Sequence, residues 1–388
     1  MEDEEMMTDK TMTMTMPTKE NADLCRNQYD KLARDLLLYY TDTKKGENLI
    51  ISQMSIMLLL SMLTYSTAGE TKSEIEDYLC GDMDGEAFAQ WLLATGKAVT
   101  DPAILHSANA VCLRKSFRDA IRDGFGEKLK ERFDAELFCS EHMMSDVNHW
   151  VKKHTNGMIE EIADKSMDDA LLTFMNAIAF DAAWEETYWP SQIKEGRFRS
   201  TGNRTEPVTL LKSTEDEYVE DAFFTGMVKP YKGGKYALMA LLPKKFGRQY
   251  LHKALEQMNL SGLYLSRTRG YIVNVTMPEF TADIDEKMND YCENKGLQTV
   301  FTDHADFSPM STSALNVGEI SHKAKIEVSR HGTKAAAVTF SGFVGCTPGV
   351  LEHKNVKLTR PFVYAIVHTE TGLPVFAGIE NKIAKIVE

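Results

Sequence analysis

Apolar residues recur at helical spacing in the first third of the chain. Between residues 21 and 41 they fall on one side of a predicted helix: Leu24, Tyr29, Leu32, Leu36 and Leu37. From residue 48 to residue 69 the chain carries no charge for 22 residues, a length that could cross a membrane. Serine, threonine and glutamine recur there at about every third position. The pattern therefore favours a helix buried in a soluble core and predicts no membrane partner.

The second half of the chain is dominated by short apolar runs, several of them bounded by glycine or proline. Before them, residues 171–180 form an uncharged run whose length is typical of a strand buried on both faces. The later runs predict further strands: YALMALLP, GYIVNVTMPEF, KAKIEVS, FVYAIVHTE and LPVFAGIE. One helix is predicted among them, over residues 283–296, ended by Gly296. Helices first and strands later, without regular alternation, predict the α+β class.

The chain shows no internal repeat, and we expect one domain over residues 21–388. Residues 1–20 are acidic and rich in methionine and threonine, and we expect them to be a disordered tail. This tail lacks the basic start and apolar core of a secretory leader. The six cysteines lie far apart in sequence. These features favour a cytoplasmic protein with free thiols, or a secreted protein without a recognisable leader.

Charge and motifs exclude several classes of function. The chain has 57 acidic and 44 basic residues, a formal charge of −13 that disfavours nucleic acid as a partner. It contains no GxxxxGK[ST], GxGxxG, HExxH or GxSxG motif. His149 and His154 lie five residues apart rather than four, which favours solvated polar residues over a metal pair. We expect no cofactor, no metal and no catalytic activity. A thiol nucleophile at Cys346 is a less favoured alternative to an exposed loop thiol.

Residues 332–360 have a divided character. The first part, Gly332 to Thr339, consists mainly of small or β-branched residues, including Ala335, Ala336 and Ala337. The part that follows, SGFVGCTPG, has the composition of an exposed loop. An alanine run also suits a helix or a linker. The alternative is a segment that can slide between existing strands, because side chains this small meet little steric resistance.

Several segments of the sequence resemble those of the serpin family. GEISHKAKIEVSRHGTKAAAVTF is similar to the strand and hinge that lead into the reactive loop of that family, and TRPFVYAIVHTETGLPVFAGIEN is similar to the segment after it. FMNAIAFDAAWEETYWP resembles the central strand and gate, and the uncharged segment resembles the buried second helix. The matches run in order from residue 21 to residue 383.

The resemblance implies a fold and a mechanism. The fold would have three β-sheets, about eight or nine helices and an exposed reactive-centre loop at about residues 330–358. The mechanism would be that of a monomeric suicide inhibitor. A target serine protease attacks the loop and forms an acyl-enzyme, and the cut loop then inserts into the main sheet as a new strand. The covalent complex would trap the protease before it can release itself.

The resemblance also assigns residues to roles. Five residues fall on hinge positions: Gly332, Thr333, Ala335, Ala336 and Ala337. Five match a cluster that governs opening of the sheet, in which Trp184 is the gate aromatic: Ser52, Ser55, Asn176, His322 and Trp184. Ordinary satisfaction of buried polar groups would also explain the polar members.

Two positions depart from the family pattern. Arg330 stands where the hinge base usually carries an acid, and Glu279 stands where its partner is usually basic. Exchanged charges preserve the attraction, so we predict that the two side chains are in contact, in a pair worth about 0–1 kcal/mol if it is partly exposed. In addition, Gln53 replaces the proline that is usual between the two helix serines.

The scissile bond has two candidate positions. Counting from the hinge glycine gives Cys346-Thr347, and counting back from the strand after the loop gives Val350-Leu351. We favour the first, because insertion constrains the length of the hinge side. Neither bond follows lysine or arginine, which suits an elastase-like or chymotrypsin-like protease better than a trypsin-like one.

Other expectations concern partners and alternatives. No basic helix face appears between residues 82 and 102, so heparin is not expected to be a cofactor. A non-inhibitory serpin acting as carrier or chaperone shares the fold, but the small hinge residues disfavour it. Inhibition of cysteine proteases by the same loop remains an alternative.

Overall fold

The structure, a computed structural model, describes residues 19–333 and 352–383. Within these residues there are nine α-helices and sixteen strands, besides four short 3-10 helices. The helices are α1 Lys19–Thr43, α2 Gln53–Ser66, α3 Gly69–Cys80, α4 Gly85–Val99, α5 Phe125–Phe133, α6 Met143–His154, α7 Arg248–Glu256, α8 Leu260–Leu265 and α9 Asn289–Asn294. Helix α1 begins two residues before the predicted end of the tail, and the rest of the tail lies outside the described residues.

The strands follow the predicted order, with helices concentrated in the first part of the chain. They are β1 Leu49–Ile51, β2 Leu105–Arg114, β3 Ala135–Ser140, β4 Leu172–Phe180, β5 Ala182–Ala183, β6 Ile193–Arg199, β7 Thr205–Glu220, β8 Phe224–Pro230, β9 Tyr236–Pro243, β10 Thr268–Pro278, β11 Phe280–Lys287, β12 Glu319–Ser329, β13 Gly332–Thr333, β14 Glu352–Lys357, β15 Phe362–His368 and β16 Pro374–Glu380. The predicted α+β class is confirmed.

The first sheet contains the strands that matter for the site. Its order is β3-β2-β4-β12-β13-β5, with β11 on the outer side of β12. Strands β4 and β12 lie at its centre and run parallel, with Thr173 opposite Glu319 and Ala179 opposite Lys325. Strands β2 and β11 flank this pair as antiparallel neighbours.

The remaining strands form one hydrogen-bonded network rather than two. Strand β7 is long enough to pair with β6 through Thr205 to Leu211, and with β8 through Glu217 to Glu220. It therefore runs from one layer of the molecule into the next. The resemblance implies three sheets, but in the described residues β7 joins two of them, so the strands form two hydrogen-bonded networks.

The uncharged sequence of β4 follows from burial on both faces. On one side, Phe174, Ile178 and their neighbours pack into the main core beneath α2. On the other side, Met175 and Ala177 pack under α6, which presents Val147 and the neighbouring apolar side chains of that helix. Charges on either face of β4 would have to be buried without water, at a large cost in free energy.

Helix α2 is shorter than the uncharged segment that predicted it. Residues 49–51 form β1, which pairs with β16, and Ser52 then caps the helix by accepting a hydrogen bond from the Ser55 N–H. Nearly every side chain of α2 is buried, which explains the absence of charge. No helix within residues 19–333 and 352–383 is long and apolar enough to cross a membrane.

The predicted helix over residues 283–296 is wrong in its first half. Residues up to Lys287 belong to β11, where Ile284 lies opposite Ala324 of β12. Only α9 is helical. The acidic residues of DIDEK alternate with buried positions, so the pattern is that of a strand with one solvent-exposed face.

Candidate functional site

The hinge begins inside the sheet. Strand β13 pairs with β12 on one side and with β5 on the other, and both pairings are antiparallel. A Cβ atom at Gly332 would lie 2.2 Å from the carbonyl oxygen of Ala182, and the residue has φ of +148°. Both the close approach and the backbone conformation therefore require glycine. Two residues of the predicted hinge therefore already lie in the sheet, between β12 and β5.

Thr333 is anchored by an aromatic pair. It is fully buried, and its hydroxyl oxygen lies 2.7 Å from that of Tyr231. The Tyr231 ring stacks on Trp184 at a centroid distance of 4.5 Å and an interplanar angle of 12°. The Trp184 indole N–H donates to the Ser329 carbonyl at 2.8 Å, which ties the pair to the end of β12. Burial raises the pKa of Tyr231, so this hydroxyl keeps its proton.

The predicted contact between Arg330 and Glu279 is present. The Arg330 guanidinium donates two hydrogen bonds to the Glu279 carboxylate, at 2.9 and 2.8 Å, and the backbone N–H of Arg330 donates a third at 2.9 Å. Burial opposes ionisation of Glu279, but the hydrogen bonds from Arg330 outweigh it and hold its pKa below the ordinary value. The pair ties the base of the hinge to the residue that precedes β11.

A second ion pair near the gate was missed from the sequence. Lys229 is only 3% exposed, and its Nζ lies 3.0 Å from Oε1 of Glu215. The ammonium lies 4.9 Å from the ring centroid of Tyr188 and 5.5 Å from that of Trp184. Burial lowers the pKa of Lys229, but Glu215 outweighs it and the net shift is upward. A single lysine in a strand carries no sequence signal that distinguishes it from an exposed one.

The middle of the sheet holds part of the predicted opening cluster. His322 is buried, and its Nε2 accepts a hydrogen bond from the backbone N–H of Ser52 at 3.3 Å. The Ser52 hydroxyl donates to the Val375 carbonyl at 2.8 Å and lies 3.0 Å from that of Ser55. Burial lowers the pKa of His322 to about 3, so the ring is neutral at physiological pH. These contacts connect α2 to β12 and β16.

Asn176 lies opposite His322 in the register of β4 and β12. Its side-chain N–H group donates instead to Asn109 of β2, at 2.8 Å. Asn176 Oδ1 and His322 Nδ1 are both buried without a hydrogen-bond partner. Asn109 was missed from the sequence, because only the strand order makes it a neighbour of Asn176.

The predicted cluster is divided between two places. Trp184 lies at the upper end of the sheet with the hinge, eight residues after Asn176 and therefore about 26 Å along the strand direction. It belongs to the gate and not to the group around Ser52. The five predicted residues therefore do not form a single cluster.

Most of the predicted loop lies outside the described residues. This applies to Ala335, Ala336, Ala337 and to both candidate bonds, Cys346-Thr347 and Val350-Leu351. The ends of the predicted loop are described and are strands. Residues 332–333 are β13, and residues 352–357 are β14, which runs parallel to β10. The predicted loop limits of about 330 and 358 therefore include these two strands, and the loop itself stays a prediction.

Cysteines in the described part of the chain are unpaired. Four of them are buried and one is half-buried: Cys25, Cys80, Cys112 and Cys292, and then Cys139. Burial raises the pKa of each of these thiols. They therefore stay protonated and poorly nucleophilic at neutral pH.

Comparison with known proteins agrees with this architecture. The model of the serpin family, described as serine protease inhibitors, matches residues 27–382. The chain belongs to the serpin family.

Individual relatives are distant but match over most of their length. Neuroserpin from Gallus gallus is 24% identical, with 95% of this chain and 92% of the relative covered. Leukocyte elastase inhibitor from Equus caballus is 27% identical, with 89% and 96% covered.

Solved structures show the same fold. The thermophilic serpin Tengpin in its native state gives a TM-score of 0.84 at 27% identity, with 96% of each chain covered. Human thyroxine-binding globulin gives 0.83 at 19% identity, with 94% of this chain and all of that chain covered, a likeness that concerns the fold alone.

Proposed function

We propose that the protein is a suicide-substrate inhibitor that traps a serine protease as an acyl-enzyme. The observation that carries the proposal is β13, a two-residue strand paired on both sides in the gap between β12 and β5. The gap is therefore open to a strand at its upper end. Insertion of the cut loop continues a strand that has already begun. It exchanges the parallel ladder between β4 and β12 for two antiparallel ladders, and each backbone hydrogen bond gained in this exchange contributes about 1 kcal/mol net.

The register of β13 supports insertion in detail. Thr333 faces Val328 and Ala182, and the two partners are 146 residues apart. His322 and Asn176, which face each other directly farther down, are also 146 residues apart. An inserting strand can therefore keep one register along β12 on one side and along β5 and then β4 on the other. In this register Thr339, six residues after Thr333, faces both His322 and Asn176.

The position of Thr339 gives insertion a chemical advantage. The Thr333 side chain points into the main core, and alternation along the strand sends every second side chain after it to the same face. The Thr339 hydroxyl would then reach the two buried atoms that lack partners, His322 Nδ1 and Asn176 Oδ1. A hydroxyl can accept from one and donate to the other.

The length of the sheet favours Cys346-Thr347 as the scissile bond. Thr173 and Glu319 are the paired residues of the central strands that lie farthest from β13, and they would face residue 342 of the inserted loop. Cys346 would then lie four residues below the sheet, about 13 Å, and Val350 eight residues below, about 26 Å. The shorter tether holds the protease against the base of the inhibitor, where compression distorts its oxyanion site. Loss of one oxyanion donor costs about 3–4 kcal/mol of transition-state stabilisation, so deacylation stalls.

The target class follows from the residues before the bond. Cysteine at the cut position suits the small or apolar pockets of elastase-like and chymotrypsin-like proteases, and a trypsin-like pocket requires a basic residue. The relative from Equus caballus is named for inhibition of leukocyte elastase, which agrees with this assignment. The proposed complex contains one inhibitor and one protease, and the inhibitor needs no heparin.

Incubation with elastase, chymotrypsin and trypsin tests the proposal. With elastase or chymotrypsin we expect an SDS-stable band at the summed mass of the two proteins less that of the released fragment. We expect that fragment to begin at Thr347 by mass spectrometry. Ala337→Arg would place a charge on the buried face of the inserted strand and should give cleavage without the band. Glu352→Arg is the matched control, because residue 352 is exposed and stays on the released side.

The carrier function is the alternative that this experiment can favour. Clean cleavage of the loop by every protease, with no covalent band and no rise in melting temperature, would contradict the inhibitory function. A band formed with cysteine proteases only would move the target to that class, since a thioester can be trapped by the same insertion.

A further inference from the structure

Tyr231 is held more rigidly than its place in a turn requires. It follows β8, and its ring is fully buried between Trp184 on one face and Phe180, whose ring centroid lies 4.9 Å away. Its backbone bridges to Trp184, and its backbone N–H donates to the Tyr236 carbonyl at 3.0 Å. The position of the ring is therefore fixed by contacts other than the one with the hinge.

The hinge residue depends on this hydroxyl. Thr333 has no exposed surface, and the Tyr231 hydroxyl is the hydrogen-bond partner that its side chain has among the described residues. Backbone pairing alone does not select which loop residue occupies this place, because neighbouring residues offer the same N–H and C=O groups. A slip of one residue would place Gly332 or Lys334 here, and neither has a hydroxyl to offer.

We propose that Tyr231 is a positioning residue that sets the register in which the loop enters the sheet. Register matters because a slip by one residue turns every side chain of a strand to the opposite face. In an inserted strand that keeps Thr333 against Tyr231, the small residues Ala335 and Ala337 would face the core. After a slip, Lys334 would face it instead, and a buried ammonium without a partner is strongly unfavourable.

The inference rests on the proposed inhibitory function and extends it to a kinetic step. After the protease has cut the loop, the acyl-enzyme has two possible outcomes. Either the loop inserts and the protease is trapped, or the acyl bond is hydrolysed and the protease is released. A strand that starts in the correct register inserts without a search. Tyr231 therefore acts on the fraction of cleavage events that end in a trapped complex and not on the cleavage step.

The test is Tyr231→Phe, measured as the stoichiometry of inhibition against chymotrypsin or elastase. Loss of one hydrogen bond of about 1 kcal/mol should slow insertion about fivefold. The stoichiometry is one plus the ratio of hydrolysis to insertion, so its excess over one should rise about fivefold. The second-order rate of loop cleavage should stay unchanged. Tyr236→Phe is the matched control, because that buried hydroxyl donates to the Val99 carbonyl, and it should leave the stoichiometry unchanged.

Changes at Thr333 complete the test. Thr333→Val should raise the stoichiometry as Tyr231→Phe does, whereas Thr333→Ser keeps the hydroxyl and should retain the wild-type stoichiometry. The double variant Tyr231→Phe with Thr333→Val should have a stoichiometry no higher than that of either single variant. Equal stoichiometries for Tyr231→Phe and wild type, with the wild type still forming the covalent band, would overturn the inference alone. No band with the wild type would instead overturn the proposed function. A rise in the Tyr236→Phe control as large as that in Tyr231→Phe would mean a general loss of packing and would also overturn the inference.

Discussion

Arg330 and Glu279 differ in burial, and this difference predicts an asymmetry between two substitutions. The side chain of Glu279 is 8% exposed and that of Arg330 is 36% exposed. Removing the arginine leaves a carboxylate in a site that water barely reaches. Removing the carboxylate leaves a guanidinium that can turn toward solvent. The same pair is therefore broken in both cases, but at different cost.

The magnitudes follow from these environments. Breaking a buried pair costs about 3–5 kcal/mol, and Arg330→Met should lie near 3 because the backbone N–H of residue 330 still donates to the carboxylate. Glu279→Gln keeps an acceptor for that N–H and exposes the guanidinium, so about 1 kcal/mol is expected. The double variant should cost less than the sum, since neither charge is left without its partner.

Urea unfolding followed by tryptophan fluorescence measures these differences, and pH supplies a second check. The pKa of paired Glu279 is depressed, so the stabilisation that its ionised form gives the wild type is present above the ordinary value of 4.5 and is lost as pH falls through the lower folded value. Without Arg330, burial raises the pKa of Glu279 and the carboxyl takes up a proton at mildly acidic pH. The deficit of Arg330→Met should therefore shrink between pH 7.5 and pH 5. A Glu279→Gln variant that is as unstable as Arg330→Met at pH 7.5 would refute this reasoning.

Three further predictions concern buried ionisable groups. Burial raises the pKa of Asp30 from 3.8 to about 6, so its protonated form stabilises the fold fully below 3.8 and wild-type stability should fall by up to about 3 kcal/mol as pH rises from 3.8 past 6. Asp30→Asn should remove this loss in a series of melting curves. The pKa of His322 is depressed to about 3, so its contribution is complete above pH 6.5 and decreases as pH falls toward 3; His322→Gln should flatten the acid limb of the same curves, and an unchanged limb would contradict it. Lys229→Met strands Glu215 in a buried site and should cost about 3–5 kcal/mol in urea unfolding, while Lys229→Met combined with Glu215→Leu should cost less, and equal losses would count against the argument.

The sequence was sufficient for features that depend on local patterns or on spacing along the chain. The uncharged run of β4 predicted burial on both faces, and the two layers of core on either side of Phe174 and Met175 show it. The exchange of charge between Arg330 and Glu279 predicted their contact, because two departures from one pattern compensate each other. Gly332 was predicted at the hinge, and the structure adds the reason that a side chain there would collide with Ala182.

Other features depend on contacts between distant segments and left no pattern. Lys229 is buried because Glu215, Tyr188 and Trp184 surround it, and nothing in its own segment shows this. The partner of Asn176 is Asn109, which only the pairing of β2 with β4 brings near. Residues 283–287 were assigned to a helix because acidic residues are typical of a first helical turn, but pairing with β12 decided their conformation.

The central gap of the sheet has polar demands that differ from end to end. At the top, Thr333 and Tyr231 satisfy each other, and the hinge is already a strand. In the middle, His322 and Asn176 each keep a buried atom without a partner, and each such atom costs about 1–3 kcal/mol. A strand that continued from Thr333 in the same register would remove these costs, and it would replace the ladder between β4 and β12 by two ladders. If the protein is an inhibitor as proposed, the unpaired atoms would favour opening of the sheet, and the paired hydroxyls of Thr333 and Tyr231 would mark the place where insertion begins.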